Sequence, residues 1–144
     1  MPSRRRAREY ALQMLFQCDV GGSPPESVLD LFWSNRDRTA DRPEDEVIRT
    51  FSNELFTGTS SKIESIDRLI RQYAENWKLE RMAAVDRNIL RLAIYELLHH
   101  KETPPAVVIN EALEIARKFS EEDSVSFING VLDSVRKQAG NGSS

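Results

Sequence analysis

The chain has one cysteine, Cys18, among its 144 residues. No intramolecular disulfide can form, and this usage fits a reducing, cytoplasmic compartment. No apolar run approaches the ~18 residues that a membrane span needs. The N-terminus is rich in arginine, but the apolar core of a secretory signal does not follow it. There is no phosphate-cradling glycine loop, no cysteine pair and no HExxH helix. His99 and His100 are adjacent, so on a helix they point about 100° apart and chelate poorly. They read as a solvated helix end. Glu121-Glu122-Asp123 reads as a capping turn. Nothing brings a nucleophile, a base and an oxyanion donor together, so catalysis, a cofactor and a bound metal are not expected. No segment has the period-2 alternation of a half-buried strand, and no internal repeat is visible.

What is present is a soluble, globular balance, with 40% hydrophobic and 30% charged residues. The net charge of −3 predicts no general affinity for nucleic acid. That average hides a polarity. Residues 1–18 carry Arg4, Arg5, Arg6 and Arg8 against Glu9, a net of +3. Residues 19–60 carry nine acids and four arginines, a net of −5. An acidic protein with a basic arm should meet a polyanion at one place.

The hydrophobic pattern is helical throughout. Ala7, Tyr10, Ala11, Met14, Leu15 and Cys18 follow one face of a first helix, which Gly21-Gly22 ends. Ser23 and Glu26 have capping-box spacing before a short helix built on Val28, Leu31 and Phe32. Residues 35–42 read as a solvated loop. Pro43 opens a third helix with Val47, Ile48, Phe51 and Leu55 inward, and Gly58 stops it. Ser61 and Glu64 repeat the capping spacing before Ile63, Ile66, Ile70, Tyr73 and Trp77. Residues 85–98 are apolar on all sides and predict a central, surrounded helix. Pro104-Pro105 starts a sixth helix with Ile109, Ala112, Ala116 and Phe119 inward. Asp123 or Ser124 caps a last helix with Ile128, Val131, Leu132 and Val135 inward, and residues 139–144 read as a tail. Cys18 continues a core stripe and reads as a buried thiol.

Three features go beyond core and surface. Four arginines within five positions at a helix start oppose the macrodipole, which gives them a use other than helix stability. Phosphate is the obvious ligand, and solubility is the competing explanation. On a wheel Arg5 and Arg8 share a side with Leu12 and Phe16, an apolar pair suited to a partner or to a second packing face. Phe127 lies about 100° off the last core stripe, either on the core margin or as a platform for a base. Asp86, Arg87 and Arg91 open the central helix, as an ordinary surface, a polar network or a docking site.

At these residues the sequence resembles the NusB family of bacterial transcription antitermination factors. The matching stretches are Arg4-Arg5-Arg6-Ala7-Arg8-Glu9 with Ala11, Gln13 and Leu15, and Asp86-Arg87 with Ile89 through Leu97. They continue with Pro105, Val108 through Ala112, Glu114, Ala116 through Phe119, Asp123-Ser124 and Phe127 through Asp133. The resemblance implies an all-α fold of about seven helices in two helical subbundles, without catalytic activity. It implies a single RNA-binding domain over residues 1–138. It implies binding of boxA RNA, together with the small-subunit ribosomal protein NusE. NusA, NusG and RNA polymerase are implied as indirect partners during ribosomal RNA transcription.

The family's RNA-binding role carries over to Arg4, Arg5, Arg6, Arg8, Asp123, Phe127 and Asn129. The NusE surface carries over to Phe16, Glu80 and Asp86, with Phe16 standing where a tyrosine is often seen. Two other classes fit parts of the pattern. One is a homodimeric helical adaptor that binds proteins without RNA, through Leu12 and Phe16. The other is an RNA methyltransferase with a NusB-like N-terminal domain, for which this length leaves no room for a cofactor-binding α/β domain.

Overall fold

The computed structural model describes residues 2–142, with side chains over residues 4–139. Among the described residues there are seven α-helices and no strand. They are α1 (Pro2–Gly21), α2 (Pro25–Thr39), α3 (Glu46–Ser61), α4 (Ile63–Tyr73), α5 (Ala84–His99), α6 (Pro105–Phe119) and α7 (Glu122–Gly142), with a 3₁₀ turn at Leu79–Arg81. The chain divides into two compact units, residues 1–61 and 62–144. The all-α expectation with two subbundles holds.

In the first unit α1 packs on α2 and α3. Ala7, Tyr10, Ala11, Met14 and Leu15 are buried as the spacing predicts. Tyr10, Phe32 and Trp33 meet edge to face, with ring centroids 4.9–5.7 Å apart. Such pairs add about 0.5–1.5 kcal/mol each beyond the area they bury. The Trp33 indole N–H is satisfied by the Asn53 side-chain oxygen at 2.6 Å.

Several local expectations fail here for physical reasons. Residues 35–39 are helical rather than loop. Polar contacts hold that last turn: Arg38 donates to Asn35, and Arg49 of α3 pairs with Asp37 at 2.9 Å. Leu31 and Val47 are 60% and 72% exposed, and α3 buries Ile48, Ser52, Leu55, Phe56 and Thr59 instead. Gly58 does not stop α3, which runs on to Ser61. Pro24 and Lys62 stand at the N-caps of α2 and α4 without side-chain cap bonds, so neither capping box forms.

In the second unit α5 is packed against α4, α6 and α7. Leu92 through Leu97 are all buried, as expected of a surrounded helix. Its polar residues form a network rather than a bare surface. Arg91 donates two hydrogen bonds to the Asp67 carboxylate of α4, at 2.8 and 2.9 Å, and a third to Asn88. Arg87 donates to the Met82 carbonyl at 3.1 Å. At the far end of α5, Tyr95 lies against both His99 and His100. Phe119 is 46% exposed, not inward. α7 continues through 139–142, where a tail was expected, and 143–144 lie outside the described residues.

Candidate nucleic-acid interface

The basic arm spans the first two turns of α1, and the first of them contains no acid to match the helix dipole. The structure spreads its arginines over different environments. Arg4 and Arg6 are exposed, Arg5 is half-buried and Arg8 is only 4% exposed. The Arg4 guanidinium lies 4.3 Å above the Phe51 ring, and that of Arg8 lies 5.6 Å from it. Leu12 is buried too. The outward face expected from Arg8, Leu12 and Phe16 therefore does not exist as a unit. Two helices cover α1, so its buried arc is wider than one stripe.

A carboxylate organises the arm from outside the matching motif. Glu44, 7% exposed, accepts from Arg6 at 3.3 Å and from Arg36 at 3.1 Å. The Tyr10 hydroxyl donates to it at 2.6 Å, and the Arg36 guanidinium lies 4.4 Å above the Tyr10 ring. Burial alone would raise the Glu44 pKa. The Tyr10 hydroxyl, the Asp45 N–H and the two guanidinium groups outweigh it and hold the carboxyl below its ordinary value. Burial, and then the bond to Glu44, push the Tyr10 hydroxyl up to about 12. Cys18 is half-buried. Burial, with the Glu26 and Asp19 carboxylates, raises its thiol, the opposite of what a nucleophile needs.

The second unit has a cleft of about 120 Å³ where the start of α7 meets the segment before α5. Trp77, Arg81, Met82, Asp86, Asp123, Ser124 and Phe127 line it. Asp123 and Phe127 are one helical turn apart on α7, so both reach the same cleft. Asn129 is exposed but is not part of the lining. Phe127 is half-buried, and its ring centroid lies 5.8 Å from that of Trp77 at an interplanar angle of 59°. Neither Trp77 nor Arg81 was singled out by the sequence. Trp77 continues the apolar stripe of α4 and so reads as core, but α4 ends at Tyr73 and leaves the indole 58% exposed.

The residues expected to meet a protein partner are not alike. Phe16, 37% exposed, lines an apolar groove of about 320 Å³ with Val20, Leu31 and Phe32. Glu80 is exposed and pairs with Arg71 at 3.1 Å. Its own backbone N–H and that guanidinium hold its carboxyl below the ordinary range. Asp86 turns inward and accepts from the hydroxyls of Ser120 and Ser124, at 2.6 and 2.7 Å. Ser124 is thus a tether to α5 rather than a cap.

The model of the NusB family matches residues 5–137. The chain belongs to the NusB family. The transcription antitermination protein NusB of Koribacter versatilis (strain Ellin345) is 51% identical over 136 residues, covering 94% of this chain and 90% of that one. That of Thermodesulfovibrio yellowstonii is 40% identical over 145 residues, covering 94% and 92%. Among solved structures, NusB of T. maritima superposes with a TM-score of 0.82 at 37% identity, covering 94% of this chain and 91% of that one. A structure of the antitermination factors NusB and NusE in complex with double-stranded RNA gives 0.84 at 25% identity, covering 96% and 98%. Among the described residues of this NusB-family chain, no helix is long and apolar enough to cross a membrane. No cluster of three or more His, Cys, Asp or Glu side chains among them is placed to hold a metal ion.

Proposed function

We propose that this chain is a transcription antitermination factor that binds boxA-type single-stranded RNA together with NusE. With NusA and NusG it joins RNA polymerase during ribosomal RNA transcription. The observation that carries the RNA reading is the cleft at the start of α7. An aromatic ring and a carboxylate, Phe127 and Asp123, open there beside an exposed indole. Unpaired bases stack on such rings and offer their edges to such acceptors. The role is binding rather than catalysis, and its compartment is the cytoplasm, where the transcript is made.

In this reading Arg4, Arg5 and Arg6 neutralise phosphates, while buried Arg8 braces the arm against Phe51. Asp123, Phe127 and Asn129 contact RNA from α7. Phe16 with its groove in the first unit meets NusE, as does Glu80 in the second, while Asp86 ties α5 to α7 within the second unit. Residues 1–138 serve as one RNA-binding domain, and its last helix, α7, runs on to Gly142. The relative crystallised with NusE and double-stranded RNA supports both partners. A gel-shift titration with boxA RNA over a range of salt, with and without NusE, tests the proposal. A homodimeric adaptor without RNA affinity would give no shift in either arm.

A further inference from the structure

Glu44 joins two arginines that are far apart in the sequence, Arg6 of α1 and Arg36 of α2. Each donates to a different oxygen of the carboxylate, so the two guanidinium groups lie side by side. The Glu44 side chain is 7% exposed, against 54% for Arg6 and 37% for Arg36. The acid is therefore the floor and the two cations form the surface. Two positive charges share one negative charge, and the group stays net positive toward solvent. The Tyr10 hydroxyl and the Asp45 N–H also donate to Glu44. With those two bonds, one guanidinium would suffice to satisfy a buried carboxylate.

Arg36 is the less expected of the pair. Its guanidinium is fixed on two sides, by the Tyr10 ring 4.4 Å below it and by Glu44 at 3.1 Å. Its Nε is buried without an acceptor, a cost that stability alone gives no reason to keep. A guanidinium has five N–H donors, and the bond to Glu44 uses one. A cation held in one plane loses little freedom when it meets a phosphate. The acids beside it in sequence are occupied. Asp37 pairs with Arg49, and Asp45 accepts from the Val47 N–H at the start of α3. A cation in the last turn of α2 also suits the helix dipole, which is the competing explanation.

We infer that Arg36 binds a phosphate of the RNA, recruited from α2 to the basic arm by Glu44. The strand that meets Arg6 continues over the last turn of α2, and Arg36 takes a phosphate there. Glu44 touches no RNA; it is a positioning residue that sets the two guanidinium groups side by side. This inference rests on the RNA-binding reading. It adds to it two residues that lie outside the arm and outside every stretch that carries the family resemblance.

The test titrates boxA RNA, over a range of salt, into the NusE complex of wild type, Arg36→Gln, Arg36→Lys and Arg38→Gln. Arg38 is exposed and two residues on, so it points to the other side of α2 and loses the same charge. Arg36→Gln should flatten the slope of log K against log salt by about 0.7, the share of one phosphate on a single strand. Arg36→Lys keeps the charge and should keep the slope. Arg38→Gln should leave the slope as in wild type, because residues 19–60 carry a net of −5 and have no general attraction for RNA. Glu44→Gln removes a negative charge, which as a field effect alone would tighten RNA binding. Lost positioning should weaken it severalfold instead, and by less when Arg36 is already Gln.

If wild type binds RNA with a salt slope that Arg36→Gln retains, or that Arg38→Gln flattens equally, Arg36 is no phosphate ligand and the RNA reading stands. Tighter RNA binding by Glu44→Gln would overturn the positioning role. If wild type binds no RNA with or without NusE, the RNA reading falls together with the inference. Should Arg36→Gln lose its cooperative melt, modification of wild type by an arginine-selective dicarbonyl decides. Protection of Arg36 by boxA RNA supports the contact, and equal modification with and without RNA overturns it.

Discussion

The Ser124 hydroxyl donates to Asp86 at 2.7 Å and ties the first turn of α7 to the first turn of α5. Ser120, at the end of α6, donates to the other Asp86 oxygen at 2.6 Å. One carboxylate thereby fixes the start of three helix packings and the floor of the α7 cleft.

Asp86→Ala should therefore act on stability. Hydrogen bonds to a charged group are worth about 1.5–3 kcal/mol each. Loss of both should cost about 3 kcal/mol or more in a denaturant melt, above the ~1 kcal/mol of a helix-end charge. NusE affinity should change little at temperatures where the variant is folded. A small stability cost with a large loss of NusE affinity would place Asp86 in the partner interface instead.

The arm should show itself in salt dependence. With Arg8 buried, three arginines remain to meet phosphates. Removing Arg4, Arg5 and Arg6 should flatten the slope of log K against log salt by about 2 for single-stranded RNA. Arg8→Ala should instead lower stability by about 1–2 kcal/mol, through lost stacking and packing against Phe51. Filter binding over a salt series and a thermal melt separate the two effects.

Glu44 should shape the acid limb of stability. Its carboxyl titrates below the ordinary 4.5 in the folded chain. The unfolded chain thus takes up the proton first as pH falls. The stabilisation is present above pH 4.5 and is lost as pH drops through the folded value. Tyr10 works at the other end, because its hydroxyl is raised from 10.0 to about 12. Stability from the neutral phenol is complete below pH 10 and is lost as pH rises toward 12. Melts of Glu44→Gln should be flatter than wild type below pH 4.5, and those of Tyr10→Phe flatter above pH 10.

The Asp67–Arg91 pair should be the costliest polar contact to break. The two side chains are 14% and 12% exposed and meet through two hydrogen bonds. Asp67→Ala leaves a desolvated guanidinium and should cost about 3–5 kcal/mol. Asp67→Ala with Arg91→Met should recover much of that loss in the same denaturant melt.

Periodicity made the helices legible, and the all-round apolar character of residues 85–98 marked α5 as the surrounded one. Where local chemistry was read as punctuation it misled. Gly58 sits inside α3, and residues 35–39 extend α2, because tertiary ion pairs such as Arg49–Asp37 hold a turn that is polar by itself. In the site, Arg4, Arg6 and Asp123 are exposed and Phe127 is half-buried at the edge of its cleft. Arg8 and Leu12 are buried, and a wheel of α1 alone says nothing of the second helix that covers it. Glu44 and Trp77 were invisible for the same reason. A carboxylate 38 residues from Arg6 has no local pattern, and an aromatic on an apolar stripe reads as core until the helix is seen to stop.

The most direct test of RNA recognition at the start of α7 is a titration of boxA RNA into the NusE complex of Phe127→Ala and of wild type. Phe127 is half-buried and lies off the core stripe, so the variant should keep the wild-type melt within about 1 kcal/mol. RNA binding should weaken by about 1–3 kcal/mol, the worth of one stacked base. RNA binding as tight as wild type by a folded variant would contradict the account.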